Sequence, residues 1–333
     1  MKLRYGYRDR PDAGLPVFAL FFLLLFLLTG CGQKSMLIPV DSFPDVVAVK
    51  VRQSDTLPLL AKNYLNDSSL DWLIAEFNDV SEARAGQELL VPLGFYKKGN
   101  LTLTGYSLVP VLNYHNLSLT ESTKMMIPKE KFEQQMAYLH NNGYRVISLD
   151  NFFDFLDFNC QLPQKSVVIT FDDGWRQVYE IAWPVLKKYG YTATLFVYTD
   201  LIVGSSKTLN WNMIREMAAG GLDIQCHTKT HRNLSKKKTD ESQDEYLAEV
   251  NYELTESARI IKKEVGVEVK YLAYPYGETN DQVIHLLHDN GFRGAFTTKR
   301  GSNPFFGDYY RIKRGMIYGG FTLEQFKNNL KIH

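Results

Sequence analysis

Cysteine is scarce in this 333-residue chain: the three present, Cys31, Cys160 and Cys226, are too few and too scattered for a disulfide scaffold. A charge of one sign is lacking as well. Lys and Arg number 38 against 37 Asp and Glu, a formal net charge of +1, so no global field draws in nucleic acid or an anionic surface. No internal repeat occurs, which excludes a solenoid. No apolar run reaches the ~20 residues that a helix needs to cross a bilayer core. What is present, 45% hydrophobic and 23% charged residues, suits one large globular domain with small accessories and excludes a disordered or polytopic chain.

The first 31 residues carry an address. Lys2, Arg4, Arg8 and Arg10 precede an apolar run over residues 15–28, and small residues follow, which is the order of a secretion signal. The run closes in Leu28-Thr29-Gly30-Cys31, which resembles the bacterial lipobox. The resemblance implies a signal peptide over residues 1–30 and acylation of Cys31 as the mature N-terminus. Several acyl chains anchor firmly, since each buried methylene adds ~0.8 kcal/mol. Gly32 stands where an Asp would imply inner-membrane retention. The resemblance therefore implies a lipid-anchored envelope protein, on the outer membrane facing the periplasm in a diderm cell and on the outer face of the plasma membrane otherwise.

Residues 31–45 read as a polar tether, and a compact block follows over residues 46–93. Within it, residues 47–52 alternate as a strand, residues 57–64 and 70–77 read as short helices, and residues 88–92 as a second strand, in the order βααβ. VKVRQSDTLPLLAKNY, Asn78 and GQELLVP resemble a LysM module, a family that binds N-acetylglucosamine glycans. Ser54 replaces the usual Gly, but Asp55 and Thr56 remain to cap the first helix. Residues 94–107 (GFYKKGNLTLTGYS) read as a linker.

From residue 108 to 333, strand-like runs alternate with helix-like runs: VPVLNYH, YRVISL, SVVITF, ATLFVYT, LDIQCH, KYLAYPY, GAFTT and IKRGMIY are separated by amphipathic stretches. Strand then helix, repeated seven or eight times, predicts a distorted (β/α) barrel rather than an open sheet. The charged run over residues 235–245 reads as a solvated loop and helix start.

Three strand ends carry chemistry. VVITFDDG (residues 167–174) ends in two carboxylates and a glycine, which alone is an ordinary turn signal. LDIQCHTKTH (residues 222–231) ends in His227 and His231, four residues apart, so one further turn can aim both imidazoles at one point. Together they offer one or two carboxylates and two imidazoles, a set suited to Zn or another divalent first-row ion. YLAYPYG (residues 271–277) places Pro and Gly where a fixed turn exposes backbone N–H groups, as an oxyanion site requires.

TFDDG, HTKTH and AYPYG, in this order, resemble the polysaccharide deacetylases of carbohydrate esterase family 4. The resemblance implies a distorted (β/α)7 barrel, with Asp172 as general base and Asp173, His227 and His231 as ligands of Zn, Co or Ni. Tyr276 matches the residue whose backbone N–H holds the oxyanion. It also implies an N-acetylglucosamine polymer as partner, peptidoglycan first because of the LysM-like block.

Two departures stand out. The late Leu-x-His that supplies the family's acid is missing: His285 and His288 fall in an amphipathic stretch, and His333 is the last residue. His115 in PVLNYHNL is the replacement candidate, because some exopolysaccharide deacetylases have a similar Tyr-His. Ala273 occupies the place of an arginine that orients the base, and Arg314 is the candidate substitute. Tyr114-His115 and FTTKRGSN also suggest an exported poly-N-acetylglucosamine as the alternative substrate. A third alternative is a catalytically inactive glycan-binding lipoprotein. Trp175, Tyr274 and Pro275 are candidate substrate contacts; Trp211, and Tyr274 ahead of that role, read as core residues. Cys226 reads as a buried thiol and Cys160 as a loop residue without a partner.

Overall fold

The computed structural model describes residues 38–39, 46–102 and 105–331. The signal segment, Cys31, most of the tether and His333 lie outside the described residues. Among those described, no helix is long and apolar enough to cross a membrane.

In the small N-terminal block, Thr56 caps α1 (Leu57–Leu65) by accepting from Leu59 N, and Asp55 accepts from Arg52 N at 2.8 Å. Helix α2 (Asp71–Asn78) follows. Strands β2 (Val46–Lys50) and β3 (Glu88–Pro92) pair antiparallel over all five residues, one or two residues off the expected bounds of the first strand. A short strand, β1 (Ile38–Pro39), pairs with the outer edge of β2, so two residues of the expected tether belong to the sheet. The expected βααβ order holds. Val49, Val51, Leu60, Ala61, Ile74, Leu89 and Val91 form its core. Asn78 links helix to sheet, donating to Ile74 O and Leu90 O and accepting from Leu90 N.

The expected linker is docked rather than loose. Phe95 stacks on Trp72, and the buried Asn100 side chain both donates to Leu162 O and accepts from Leu162 N. Gly99 takes φ +61°, with the Phe158 and Phe305 rings where a side chain would go. Cys160, expected in a polar loop, is buried beside this contact and directs its thiol at Asn151 O.

The large domain is built on parallel strands. Strand β4 (Val109–Tyr114) pairs with β8 (Ser166–Asp173), and the order continues through β9 (Thr194–Val197), β10 (Asp223–Cys226), β11 (Tyr271–Ala273) and β12 (Gly294–Phe296). On the other side of β4 lies β14 (Gly315–Met316), also parallel. A bridge between Phe296 and Ile312 brings the chain entering β14 against β12, so the sheet curls back toward its own first strand. This is a (β/α)7-like barrel, as the alternation predicted.

Strands β5 (Asn116–Ser118) and β6 (Met126–Pro128) pair beside the barrel mouth. Strands β7 (Arg145–Val146) and β13 (Ser302–Asn303) pair with the starts of β8 and β4. The helices are α3 (Lys129–Asn141), α4 (Leu149–Leu156), α5 (Trp183–Tyr189), α6 (Trp211–Ala219), α7 (Gln243–Val265), α8 (Asp281–Asp289) and α9 (Leu323–Leu330). A π-helical turn, Val178–Ala182, leads into α5. The charged run ends in a capping box on α7, between Ser242 and Glu245.

Side chains alternate across this sheet with period two. Leu112, Tyr114, Ile169, Phe171, Leu195, Val197, Ile224, Cys226 and Leu272 join the layer under the helices. Val111, Val168, Phe196, Ala273 and Phe296 join a second cluster with the aromatic face of α4. Asn113, Thr170 and Asp172 fall on the same alternation as that second set. The pleat therefore delivers polar groups to one point at the C-terminal ends of the strands, where barrel enzymes keep their sites.

Candidate metal centre and catalytic cleft

Asp172 closes the inward row of β8 and is 2% exposed. Its carboxylate is gripped by Arg314, fully buried, in a two-pronged contact: Nη1 to Oδ1 at 2.7 Å and Nη2 to Oδ2 at 2.8 Å. Arg314 Nε donates to Thr297 O at 2.9 Å, which fixes the fork. Asn113 Nδ2 donates to Asp172 Oδ2 at 3.0 Å. Burial pushes the Asp172 carboxyl up, but Arg314, His227 and His115 outweigh it and hold the group well below the usual carboxylate range. The arginine missing at Ala273 is supplied by Arg314, just before β14 and separated from β11 by β12, as the sequence suggested.

Asp173 breaks the strand with φ +81°, so two adjacent carboxylates serve different directions. Its Oδ1 lies 3.6 Å from Nε2 of both His227 and His231, while Oδ2 accepts from the Trp175 indole N–H at 2.8 Å. His227 Nδ1 lies 2.7 Å from Ala273 O; donation there leaves Nε2 as the free lone pair. One atom from each of Asp173, His227 and His231 lies within 4.8 Å of the others. Two imidazoles and a carboxylate, oriented by outer hydrogen bonds, fit a divalent first-row ion with positions left for water and substrate.

The loop carrying His231 is strained and clamped. Thr228 and His231 take φ +70° and +65°, positions costly for residues with a Cβ. Glu253, buried on α7, accepts from the Lys229 and Thr230 backbone N–H groups at 2.9 Å each and from the Thr230 hydroxyl. Burial, then the neighbouring His227, lowers the His231 pKa against the opposing pull of Asp173. Sequence reasoning missed Glu253. Its signal was a carboxylate inside the apolar stripe Tyr246, Val250, Leu254, Ile261 of α7.

His115 follows β4 and stands across from the base, Nε2 3.9 Å from Asp172 Oδ2. Its Nδ1 is buried without a hydrogen-bond partner among the described residues, as is Asn113 Oδ1. Burial lowers the His115 pKa, with Asp172 and Asp173 opposing.

These groups open into a cleft of about 700 Å³. Its other wall is Thr123, Lys124, Met125, Met126, Met316 and Tyr318, residues that sequence reasoning did not single out. Gly319 permits this wall: a Cβ there would overlap the Met126 and Thr123 carbonyl oxygens.

The expected substrate contacts divide. Trp175 lines the cleft, but its N–H is spent on Asp173, making it an orienting group for that carboxylate. Tyr276 is 62% exposed, at φ +63°, with its ring 4.9 Å from His231. Tyr274 stands at the cleft lining but belongs to the core, the reading its sequence favoured over substrate contact: it continues the outer row of β11, has no exposed surface, and donates its hydroxyl to Tyr310 O at 3.0 Å. Pro275 is likewise buried at the start of the turn and presents nothing to a ligand. Trp211 packs on the core, and the Cys226 thiol lies against Ser257 Oγ, pushed up by burial to about 12.

Residues 160–295 match the family model "Polysaccharide deacetylase". YxkH of Bacillus subtilis (strain 168), named as a candidate polysaccharide deacetylase, is 29% identical over 218 residues, 66% of this chain and 74% of that protein. The poly-beta-1,6-N-acetyl-D-glucosamine N-deacetylase of Staphylococcus aureus (strain MRSA252) is 29% identical over 228 residues, 65% of this chain and 78% of that protein. Among solved structures, the Streptococcus pyogenes deacetylase PplD superposes with a TM-score of 0.61 at 24% identity, over 67% of this chain and 98% of that one. The matched residues hold Asp172, Asp173, His227, His231 and the turn at Tyr276. Over residues 160–295 the chain is similar to the polysaccharide deacetylases, and it is a hydrolase that acts on amide bonds.

Proposed function

We propose that this enzyme removes N-acetyl groups from N-acetylglucosamine residues of an envelope polysaccharide, with peptidoglycan as the polymer. The observation that carries the chemistry is the convergence of Asp172, Asp173, His227 and His231 on one accessible cleft, with Arg314 locked onto Asp172. A divalent cation on Asp173, His227 and His231, zinc first and cobalt or nickel as substitutes, would lower the pKa of its water toward ~7 and take up charge on the amide oxygen. Asp172 stays outside that ligand set and accepts the proton of the attacking water. His115 delivers a proton to the departing nitrogen, and the turn at Tyr276 turns a backbone N–H toward the carbonyl oxygen.

Peptidoglycan is favoured by the LysM-like block over residues 46–93, and the apolar run with Cys31 would keep the enzyme lipid-anchored beside that polymer. A second reading, an exported poly-N-acetylglucosamine, is favoured by the name of the staphylococcal relative and by Tyr114-His115.

The test is acetate release from peptidoglycan, poly-β-1,6-N-acetylglucosamine and chitooligosaccharides, before and after chelation and zinc readdition, with Asp172→Asn alongside. Zinc-dependent release abolished by that substitution supports the reading, and the preferred polymer ranks the two substrates. Release that survives in Asp172→Asn would mean the base is misassigned. Cys31→Ser should move the protein out of the membrane fraction; retention would mean that the apolar run itself is the anchor.

A further inference from the structure

Large apolar side chains gather, exposed, at the end of the barrel opposite the cleft. Strand β13 runs antiparallel to the start of β4, with Asn303 opposite Val109, so the chain on either side, residues 304–306 and 106–108, meets beyond the N-terminal ends of the parallel strands. There the Tyr106 and Phe306 rings meet edge to face at 5.0 Å, Phe306 touches Phe305, and Phe305 touches Phe158. Tyr106, Phe158 and Phe306 are 50%, 42% and 60% exposed. Leu101, 47% exposed, follows two positions after Gly99, against which the Phe158 and Phe305 rings lie. Single exposed apolar residues are ordinary, but rings in continuous contact with their faces open form a patch that marks a partner or a membrane.

Three lysines border the patch. Lys97 and Lys98 precede Gly99, and Lys313 lies against Gly301, its carbonyl accepting from Asn303 Nδ2 at 3.0 Å. All three are exposed, and none forms an ion pair among the described residues. The carboxylates next in sequence to the rings, Asp157 and Asp308, are held by Arg293 and Arg311. An apolar face of rings with free lysines at its rim is the composition of a site at a membrane interface.

The start of the chain says which surface covers it. Ile38, which opens β1, stands seven positions after Cys31, a reach of at most ~25 Å of extended chain. Strand β1 belongs to the block that docks at this same end of the barrel, through Asp71 to Arg145 and Glu76 to Gln164. Acyl chains on Cys31 therefore hold the patch end, rather than the cleft, beside the bilayer.

We propose that Leu101, Tyr106, Phe158 and Phe306 rest in the headgroup region of an anionic lipid bilayer, the one that carries the anchor, and so point the catalytic cleft away from it. The inference rests on the lipid anchor of the reading above. One flexible attachment leaves a protein free to turn, whereas a second contact made of rings and lysines fixes its orientation. The cleft then faces a polymer that lies off the membrane, in keeping with peptidoglycan.

The test uses the full chain, expressed with its own N-terminal segment, purified in detergent and added to vesicles of phosphatidylcholine and phosphatidylglycerol with brominated acyl chains. Phe306→Trp and, separately, Tyr106→Trp add an indole in the patch, and Tyr252→Trp adds one on the exposed side of α7, outside it. Above the wild-type signal, bromolipid should quench each patch indole at least about 2-fold more than the one on α7. Lys97→Gln, Lys98→Gln and Lys313→Gln together should lower that quenching on the anionic vesicles and not on phosphatidylcholine alone, and added salt should do the same. Quenching that ignores both the lysines and salt overturns the charged half of the contact. A chain that floats with the vesicles while both patch indoles stay unquenched overturns the membrane contact and leaves the anchor standing. If iodide cannot reach those indoles either, another segment or a second copy covers the patch. A chain that does not float overturns the anchor, and the contact with it.

Discussion

At the N-terminal end of the barrel, where residues 94–102 and the βααβ block dock, Asn100 satisfies both halves of its amide on Leu162, and Gln161 accepts from Lys97 N. At the C-terminal end, Asn113 Oδ1 and His115 Nδ1 are buried without partners among the described residues, and Asp173, Thr228, His231 and Tyr276 all hold φ above +60°. The N-terminal end has positive-φ residues too, Asn100 and Phe158, but Asn tolerates that region and Asn100 is tied down by its own hydrogen bonds. The N-terminal end also holds buried groups without a partner among the described residues, the Ser302 Oγ beside the start of β4 and the Tyr191 hydroxyl before β9, but neither lines the catalytic cleft. The C-terminal end keeps strain and open polar groups that a ligand would complete, which is how a binding site differs from a packed end.

If that contrast is right, breaking the catalytic end should cost most at Arg314. Arg314→Ala leaves Asp172 buried with Asn113 as its remaining hydrogen-bond donor, and unpairing a buried ion costs ~3–5 kcal/mol. We expect a large drop in Tm together with loss of acetate release. Arg314→Lys sharpens the point, because it keeps the charge and loses the fork. It should fold better than Arg314→Ala yet stay at least ~100-fold below wild type in kcat, since a displaced base is costly even without lost charge. Wild-type turnover in Arg314→Lys would show that the two-pronged contact has no part in placing the base.

Next in size is Glu253, which never reaches the cleft. Glu253→Ala removes the single oxygen that accepts from both the Lys229 and Thr230 N–H groups and the partner of the Thr230 hydroxyl. The loop with Thr228 and His231 at positive φ should relax, weakening zinc binding by ~10–100-fold, as lost supporting contacts do at metal sites. Calorimetric zinc titration reads this directly, and circular dichroism checks that the fold persists. Unchanged zinc affinity in a folded variant would mean that the loop needs no clamp.

The same contrast explains what was legible in the sequence. Asp172, Asp173, His227 and His231 sit in contiguous motifs at strand ends, so their role travels with the local pattern. Arg314 could only be nominated, because its partner is 142 positions away and meets it through strand order. Asn113 and Glu253 each left a faint mark, a polar residue within an apolar strand or stripe, which by itself does not say what it bonds. Tyr274 was legible as core because its pleat position faces the helices although its motif is catalytic. The docked linker was misread because GFYKKGNLTLTGYS is polar by composition, whereas Asn100 and Gly99 bury themselves through specific backbone contacts.

At the packed end, effects should be smaller and separable from catalysis. Asn100→Ala removes two hydrogen bonds and leaves the Leu162 N–H and carbonyl unpaired, a loss of ~1–3 kcal/mol. Acetate release per folded molecule should not change; a fall in kcat at full folding would mean that the two ends communicate.

The smallest expected effect is at Arg145, which joins the barrel to the N-terminal block through Asp71 at 3.0 Å. Both partners keep solvent contact, so Arg145→Ala should cost at most ~1 kcal/mol. The Trp72–Phe95 stack and the bond from Gln164 N to Glu76 remain. Because those contacts gather at the starts of β7 and β8, the block lies at the end of the barrel away from the catalytic cleft. A glycan held by its outer surface would then anchor the enzyme to a mesh rather than feed the same strand to Asp172. Arg145→Ala should leave turnover on soluble oligosaccharides unchanged and only modestly raise protease cleavage within residues 94–107. Fast cleavage there would mean that the single ion pair, rather than the aromatic and backbone contacts, holds the block in place.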